Sequence, residues 1–155
     1  MARILIIDDN TPIRFLMRSF IEQAGHIVCG EAQGGIEGIE LARQTQPDLI
    51  LLDLVMPTMS GIETASVLKS ILPDTPIILF TLHQDIINKE LAATMGADMV
   101  VNKTEGIPKL AESVKLLLGR KVSAAAPRTV ASSTKEIASQ STIRKPISNK
   151  EPQPN

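Results

Sequence analysis

The sequence predicts an α/β domain with a doubly wound, parallel, five-stranded sheet, and three observations support this fold class. Strand-like apolar segments alternate with helix-like segments five times between residues 3 and 119. The segment "DLILLD" is apolar over four consecutive positions, which is typical of a strand covered on both faces. Strands that are separated by helices of this length form right-handed crossovers, so helices are expected on both faces of the sheet.

The first two strand–helix units are delimited by helix caps and helix breakers. "RILII" predicts the first strand, and "TPIRFLMRSFIEQAG" predicts a helix with Thr11 as its N-cap, Pro12 at its first position and Gly25 just past its end. The buried stripe of this helix is predicted to contain Ile13, Leu16, Met17, Phe20, Ile21 and Ala24. "HIVCGEA" predicts the second strand, and "GGIEGIELARQTQ" predicts a helix that stops before Pro47.

The remaining three units follow the same pattern. "DLILLD" is the third strand, and the helix after it, "SGIETASVLKSIL", opens with a capping box of Ser60 and Glu63 and ends before Pro73. The fourth strand, "PIILFT", precedes the helix "QDIINKELAATMG". The fifth strand, "ADMVVN", precedes the helix "IPKLAESVKLLLG", which is predicted to end at Gly119.

Composition divides the chain into a domain, residues 1–119, and a tail, residues 120–155. The first part holds 9 Lys and Arg against 15 Asp and Glu, whereas the tail holds 7 against 2 and is rich in Ser, Thr, Ala, Pro and Lys. We expect the tail to be disordered and to act as a tether or to bind an acidic partner. The acidic domain has no Trp or Tyr, so no nucleic-acid contact is expected from it.

The expected location is the cytoplasm. The opening apolar run is too short for a signal peptide, and no apolar stretch reaches the length that spans a bilayer, so no membrane contact is predicted. The single cysteine, Cys29, excludes an internal disulfide and is predicted to fill space in the core.

Polar side chains follow four of the predicted strands at the point where each strand ends. Asp8 and Asp9 follow the first strand, Asp53 the third, Thr81 the fourth and Lys103 the fifth. In a doubly wound sheet, functional groups collect at the carboxyl ends of the strands, near the reversal of strand order. Each residue alone is an ordinary turn or surface residue, but the joint pattern predicts a site.

Phosphoryl transfer is the chemistry that these residue types favour. Carboxylates about 4 Å apart repel by about 4 kcal/mol per pair at an effective dielectric constant near 20, so a cation is expected among them. An all-oxygen pocket suits Mg²⁺. Asp53 would attack the phosphorus, Lys103 would neutralise phosphoryl oxygens together with the metal, and Thr81 would hydrogen-bond one of them.

Over residues 3–119 the sequence resembles the receiver domains of two-component response regulators, in particular the single-domain, chemotaxis-regulator-like ones. The resemblance rests on "DD" after the first strand, "DLVMPTMSG" around Asp53, "FT" after the fourth strand and "GADMVVNK" leading to Lys103. It implies a flavodoxin-like (βα)5 receiver fold, and Mg²⁺ bound by Asp8, Asp9, Asp53 and the main-chain carbonyl of Val55. It also implies phosphorylation of Asp53 by a sensor histidine kinase or a phosphotransfer protein, the chain being a phosphoacceptor rather than an enzyme.

Two positions depart from the family pattern. Thr104 follows Lys103 where most receivers have proline, so the resemblance leaves the geometry of this loop open. Val100 stands where receivers commonly carry the Tyr or Phe that moves together with the residue matching Thr81. The phosphorylation signal is therefore predicted to pass through Thr81 and the fourth helix by smaller repacking, without an aromatic switch at Val100.

The resemblance also marks two positions that tune how fast water removes the phosphoryl group, Val55 and His83. Because a valine cannot orient a water molecule, we expect slow autodephosphorylation. His83 either shields the site, acts on the water, or is an ordinary loop residue.

Partner surfaces are predicted from the first helix and from the last two strands. In the family the first helix contacts the histidine-bearing helix of the kinase, and Arg14, Phe15 and Arg18 are the candidates here. Output to an unknown downstream protein is expected through the fourth and fifth strands and helices, and dimerisation on phosphorylation is left open.

Three alternatives stay open from the sequence. The chain is the amino-terminal receiver of a helix-turn-helix transcriptional regulator, as "TLHQD" suggests, although "NKEPQPN" resembles a natural end. It is a docking module that is never phosphorylated. Least favoured is a haloacid dehalogenase-type phosphatase, since that family has a second Asp at the position of Val55.

Overall fold

The computed structural model describes residues 1–83, 87 and 89–124 and has one five-stranded parallel sheet with strand order 2-1-3-4-5. The strands are β1 (Arg3–Ile7), β2 (Ile27–Ala32), β3 (Leu49–Leu52), β4 (Ile77–Thr81) and β5 (Met99–Asn102). The helices are α1 (Thr11–Gln23), α2 (Gly35–Thr45), α3 (Gly61–Ile71), α4 (Lys89–Thr94) and α5 (Gly106–Ala124). The predicted fold class is therefore confirmed, and strand order reverses between β1 and β3.

Each face of the sheet carries its own hydrophobic core. Side chains alternate between the faces of a strand, so Leu49 and Leu51 join one cluster and Ile50 and Leu52 join the other. The first cluster includes residues of α1 and α5, and the second includes residues of α2, α3 and α4. Cys29 packs partly buried against the second cluster, as the sequence predicted. Because both faces are covered, the open end of the sheet is left for polar groups.

The local capping signals hold with one correction. Ser60 and Glu63 form the predicted capping box of α3, and α2 ends before Pro47 with Gln46 in the left-handed region. The N-cap of α1 is Asn10 rather than Thr11, because the Asn10 side chain accepts the hydrogen bond from the Ile13 N–H.

The buried stripe of α1 also differs from its prediction. Met17 and Ile21 are fully buried, and Ile13 and Phe20 are partly buried, but Leu16 is 48% exposed and Ala24 is exposed. The position that completes the stripe is Arg14, three residues before Met17 and seven before Ile21. A charged residue was thus left out of the predicted stripe although its spacing fits.

Two helix boundaries lie away from their predicted positions. Helix α5 continues through Gly119 to Ala124, since a glycine inside a helix costs only about 1 kcal/mol. Residues 120–124 are therefore helical, and residues 125–155 of the predicted tail lie outside the described residues. The predicted fourth helix is described only from Lys89, since residues 84–86 and 88 also lie outside.

Among the described segments, no helix combines the length and the apolar character needed to cross a membrane.

Candidate functional site

The carboxyl end of the sheet places two aspartates side by side. Asp8 directly follows β1 and Asp53 directly follows β3, and these two strands are neighbours. The Asp8 N–H donates to the Ala32 carbonyl over 3.0 Å, and the Asp53 N–H donates to the Ile7 carbonyl over 2.8 Å. Both main chains thus extend the strand ladder by one residue, which fixes where the two side chains begin.

The carboxylates of Asp8, Asp9 and Asp53 form a cluster. One oxygen from each lies within 4.8 Å of the others, with Asp8 and Asp53 buried and Asp9 exposed. Three hard oxygen donors that are open to water on one side fit a divalent cation such as Mg²⁺, which keeps several of its waters. The donor set therefore fits the metal that the sequence predicted.

Lys103 joins this cluster from β5. Its Nζ lies 2.7 Å from Asp8 Oδ2 and 3.2 Å from Asp53 Oδ1, and its side chain is 8% exposed. The ammonium also lies 6.0 Å from the centroid of the Phe80 ring. One buried cation therefore contacts the carboxylates that follow two different strands.

The loop that carries Lys103 is closed by a bond that proline could not make. Lys103 begins a 3-10 turn, Lys103–Glu105, in which the Thr104 N–H donates to Asn102 Oδ1 over 2.9 Å. The Glu105 carboxylate in turn accepts from the Asn102 N–H over 3.0 Å. The loop geometry that the resemblance left open at Thr104 is thus a capped turn that uses the Thr104 N–H.

Burial dominates the electrostatics of Asp53. Desolvation raises the pKa of its carboxyl above the ordinary value of 3.8, and the neighbouring Asp8 carboxylate raises it further. The Lys103 ammonium and the Leu54 N–H oppose this rise in pKa without cancelling it. A second cation beside Asp53 would therefore favour its charged form.

Thr81 ends β4 and is fully buried. Its Oγ1 accepts the His83 N–H over 3.1 Å, a bond that does not use the hydroxyl hydrogen. His83 is exposed, as is Val55, whose exposed fraction is 50%. Both predicted tuning residues are thus open to solvent in loops that follow site residues.

Val100 lies deeper in the sheet than Thr81. Thr81 is paired with Asn102 in the sheet register and Leu79 with Val100, so Val100 is two residues further from the carboxyl edge. It is partly buried against the α2–α3–α4 side of the core. It also lines a cavity of about 340 Å³ together with Ala92, Ala93, Ala97, Asp98, Met99 and Lys109.

The predicted partner surface on α1 needs a correction. Phe15 is 66% exposed, and Arg18 is partly exposed and paired with Glu31. Arg14 is only 7% exposed, because its Nη1 donates to the Asp8 carbonyl over 2.6 Å and its Nη2 to Thr11 Oγ1 over 3.1 Å. Arg14 therefore faces the β1–α1 turn and is not available to a partner.

Two further residues shape the site but were not singled out from the sequence. The Asn10 N–H donates to Asp8 Oδ1 over 2.8 Å. A Cβ on Gly61 would lie 2.1 Å from the main-chain oxygen of Asp53, so only glycine fits there. A glycine at the first position of a helix that has a good N-cap, Ser60, is the signal that could have revealed this close approach.

The chain belongs to the response regulator receiver domain family, whose profile matches residues 4–115. This assignment confirms the resemblance seen in the sequence. Response regulator receiver domains interact with histidine kinases or phosphotransfer proteins.

The match covers only about half of each curated relative. LiaR of Bacillus subtilis, a transcriptional regulatory protein, is 36% identical over 116 residues, which are 74% of this chain and 55% of LiaR. The response regulator VraR of Staphylococcus saprophyticus is 31% identical over 73% of this chain and 54% of its own. The chain thus spans about half the length of these relatives.

Solved structures of receivers share the fold. TrrA of Thermotoga maritima, solved in complex with Mg²⁺-BeF, is 32% identical, with a TM-score of 0.70 over 76% of this chain and 99% of its own. A response regulator of the LuxR family from Aurantimonas is 30% identical, with a TM-score of 0.72 over 77% and 86% of the two chains.

Proposed function

We propose that this chain is a response regulator that accepts a phosphoryl group on Asp53 from a histidine kinase or phosphotransfer protein and changes its protein contacts in response. One observation carries the proposal. The Asp53 carboxylate stands at the end of a central strand, within 4.8 Å of two other carboxylates and 3.2 Å from a buried ammonium. The chain is a phosphoacceptor that assists its own phosphorylation, and it is not an enzyme acting on a separate substrate.

In the proposed step an oxygen of Asp53 forms a bond to phosphorus while the bond between phosphorus and the donor breaks. The donor imidazole keeps the electron pair of the broken N–P bond, and that nitrogen then takes a proton from water. Lys103 loses part of its ion pair with Asp53 and stabilises the negative phosphoryl oxygens instead, and the Thr81 hydroxyl donates to one of them. Asp53 must be deprotonated to attack, so the opposing effect of Lys103 on its pKa is part of the mechanism.

Asp8, Asp9, Asp53 and the main-chain carbonyl of Val55 are the proposed holders of Mg²⁺. When bound, Mg²⁺ would supply the positive charge that neutralises the carboxylates and the transferred group. Hydrolysis of the acyl phosphate is proposed to be slow, because the Val55 side chain offers no polar group to orient water. His83 is exposed and either shields the phosphoryl group or acts on the water.

Partner contacts are proposed for two surfaces. The donor contacts α1 through Phe15 and Arg18, and the downstream protein contacts the side formed by β4, β5, α4 and α5. Phosphorylation biases an equilibrium between two packings of that side, through Thr81 and α4. A cytoplasmic location fits a partner of this kind.

The test is the intact mass of the protein after incubation with acetyl phosphate, with Mg²⁺ or with EDTA. We expect wild type to gain one phosphoryl group with Mg²⁺ and none with EDTA. Asp53→Asn should gain none in either condition. Asp74→Asn is the matched control, because Asp74 is an exposed aspartate in the loop before β4. Labelling in neither condition would instead favour a docking module that is not phosphorylated.

A second candidate is the control of transcription. LiaR is named a transcriptional regulatory protein, and this chain spans about half of it. The acidic domain is not proposed to touch DNA itself, so this role would need a DNA-binding partner or part. Expression profiling of a strain carrying Asp53→Asn would test it, and an unchanged profile under the stimulus that phosphorylates wild type would exclude it.

A further inference from the structure

We infer that Arg14 is a positioning residue that fixes the Asp8–Asp9 peptide and thereby sets the affinity of the acidic cluster for a divalent cation. This inference rests on the proposed function of the cluster as a Mg²⁺ site. It replaces the role expected for Arg14 from the sequence, which was contact with a partner protein.

Arg14 is buried in the β1–α1 turn. A guanidinium that is 7% exposed has lost most of its water and must find other acceptors. It donates to the main-chain carbonyl of Asp8 over 2.6 Å and to Thr11 Oγ1 over 3.1 Å. Both acceptors are uncharged, so the side chain is held by the shape of the β1–α1 turn.

The Asp8 carbonyl that accepts from Arg14 belongs to the peptide group that joins Asp8 to Asp9. The other polar groups of Asp8 are also bound: its N–H to Ala32, its Oδ1 by the Asn10 N–H and its Oδ2 by Lys103. The bond from Arg14 fixes the remaining group. The peptide plane is thereby held, and with it the direction in which Asp9 leaves the turn.

Asp9 is the group that most needs this support. It is exposed, whereas Asp8 and Asp53 are buried, yet its carboxylate lies with theirs inside 4.8 Å. A ligand that must be ordered when the cation arrives binds more weakly than one already in place. Groups that orient metal ligands typically change metal affinity by about tenfold to a hundredfold when they are removed.

Isothermal titration of metal-free protein with Mg²⁺ tests the inference without any phosphoryl donor. We expect Arg14→Met, which keeps the apolar stem, to raise the dissociation constant by about tenfold or more. Arg43→Met is the matched control, since Arg43 is exposed on α2, and it should leave the constant unchanged. If the dissociation constant of Arg14→Met for Mg²⁺ lies within twofold of the wild-type value, the inference is overturned and the proposed function is not. If wild type does not bind Mg²⁺, both are overturned.

Two further measurements separate positioning from a general loss of structure. Labelling by acetyl phosphate should need about tenfold more Mg²⁺ for half-maximal rate in Arg14→Met and reach the wild-type rate at saturation. If Arg14→Met does not fold, Arg14→Lys takes its place, because lysine keeps the charge but not the two-pronged bond. The inference then requires Arg14→Lys to bind Mg²⁺ about threefold more weakly than wild type, and an unchanged constant would overturn it.

Discussion

The structure is packed differently on the two sides of β3. On the α2–α3 side, a Cβ on Gly35 would lie 2.1 Å from Thr64 Oγ1, and one on Gly38 would lie 2.4 Å from Ile7 Cδ1. A cavity of about 260 Å³ on that side lies at the loops that precede α2 and α3. On the α4–β5 side, three alanines and Val100 border a cavity of about 340 Å³. The chemistry of Asp53 needs groups fixed to a fraction of an ångström, whereas a signal needs an element with room to repack. The same sheet supplies both.

The largest loss of stability is expected at Gly61, which lies against the main chain of Asp53. Gly61→Ala would place a Cβ 2.1 Å from the Asp53 main-chain oxygen, and a main-chain atom cannot move aside as a flexible side chain can. We expect the free energy of unfolding to fall by about 3 kcal/mol or more, measured by urea denaturation.

Gly34→Ala is the control for this change, because a Cβ there meets nothing within 4 Å. Gly34 is the N-cap of α2, where alanine is poorer than glycine, so the unfolding free energy of this variant should fall by no more than about 1 kcal/mol. Equal losses in the two variants would mean that the close approach at Gly61 does not set the packing of this loop.

Larger side chains should destabilise the α2–α3 side more than the α4–β5 side. Ala42 is fully buried on α2, so Ala42→Leu should lower the unfolding free energy by about 1–3 kcal/mol. Val100→Phe extends a side chain that already lines the α4–β5 cavity and should cost less than about 1 kcal/mol. Thermal and urea unfolding of both variants compare them directly, and similar losses would contradict the difference in packing.

The pH dependence of stability tests the electrostatics of Asp53, the proposed phosphoacceptor. Burial raises the pKa of Asp53 above 3.8, so between the ordinary pKa and the raised one the folded protein binds more protons than the unfolded chain. The free energy of unfolding therefore falls as the pH rises through this window. Asp53→Asn lacks this titration and should exceed wild type in stability above the window, in metal-free buffer.

Below pH 3.8 this advantage of Asp53→Asn should disappear, because Asp53 is then protonated in both states. Asp74→Asn, at an exposed position, should follow the wild-type profile. An advantage of Asp53→Asn that is constant over the whole pH range would place its cause outside the titration of Asp53.

The smallest effect on stability is expected at Phe15. Its side chain is 66% exposed, so Phe15→Ala should change the free energy of unfolding by less than about 0.5 kcal/mol. Labelling by acetyl phosphate should be unaffected, whereas transfer from the histidine-bearing donor protein should slow by about tenfold, the loss expected for one apolar anchor. Rapid-quench transfer assays measure this, and Glu22→Ala on the same helix is the control. An unchanged transfer rate would remove Phe15 from the proposed surface.

The sequence predicted what depends on pattern and missed what depends on individual contacts. Alternating segments were enough to predict five parallel strands with helices on both faces, and strand ends were enough to bring Asp8, Asp53 and Lys103 together. The burial of Arg14 could not be predicted because a charged residue is normally exposed, and its acceptor, the Asp8 carbonyl, is set by a turn. The extra turns of α5 were missed because Gly119 was interpreted as a helix end.

The alanine-lined cavity beside Val100 also bears on how such a domain can diversify. The residues that line this cavity border open space, whereas a Cβ added at Gly61 would lie 2.1 Å from the main-chain oxygen of Asp53. Duplicated copies of this domain can therefore come to differ in surface shape near α4 and β5 while keeping the same arrangement of groups around Asp53.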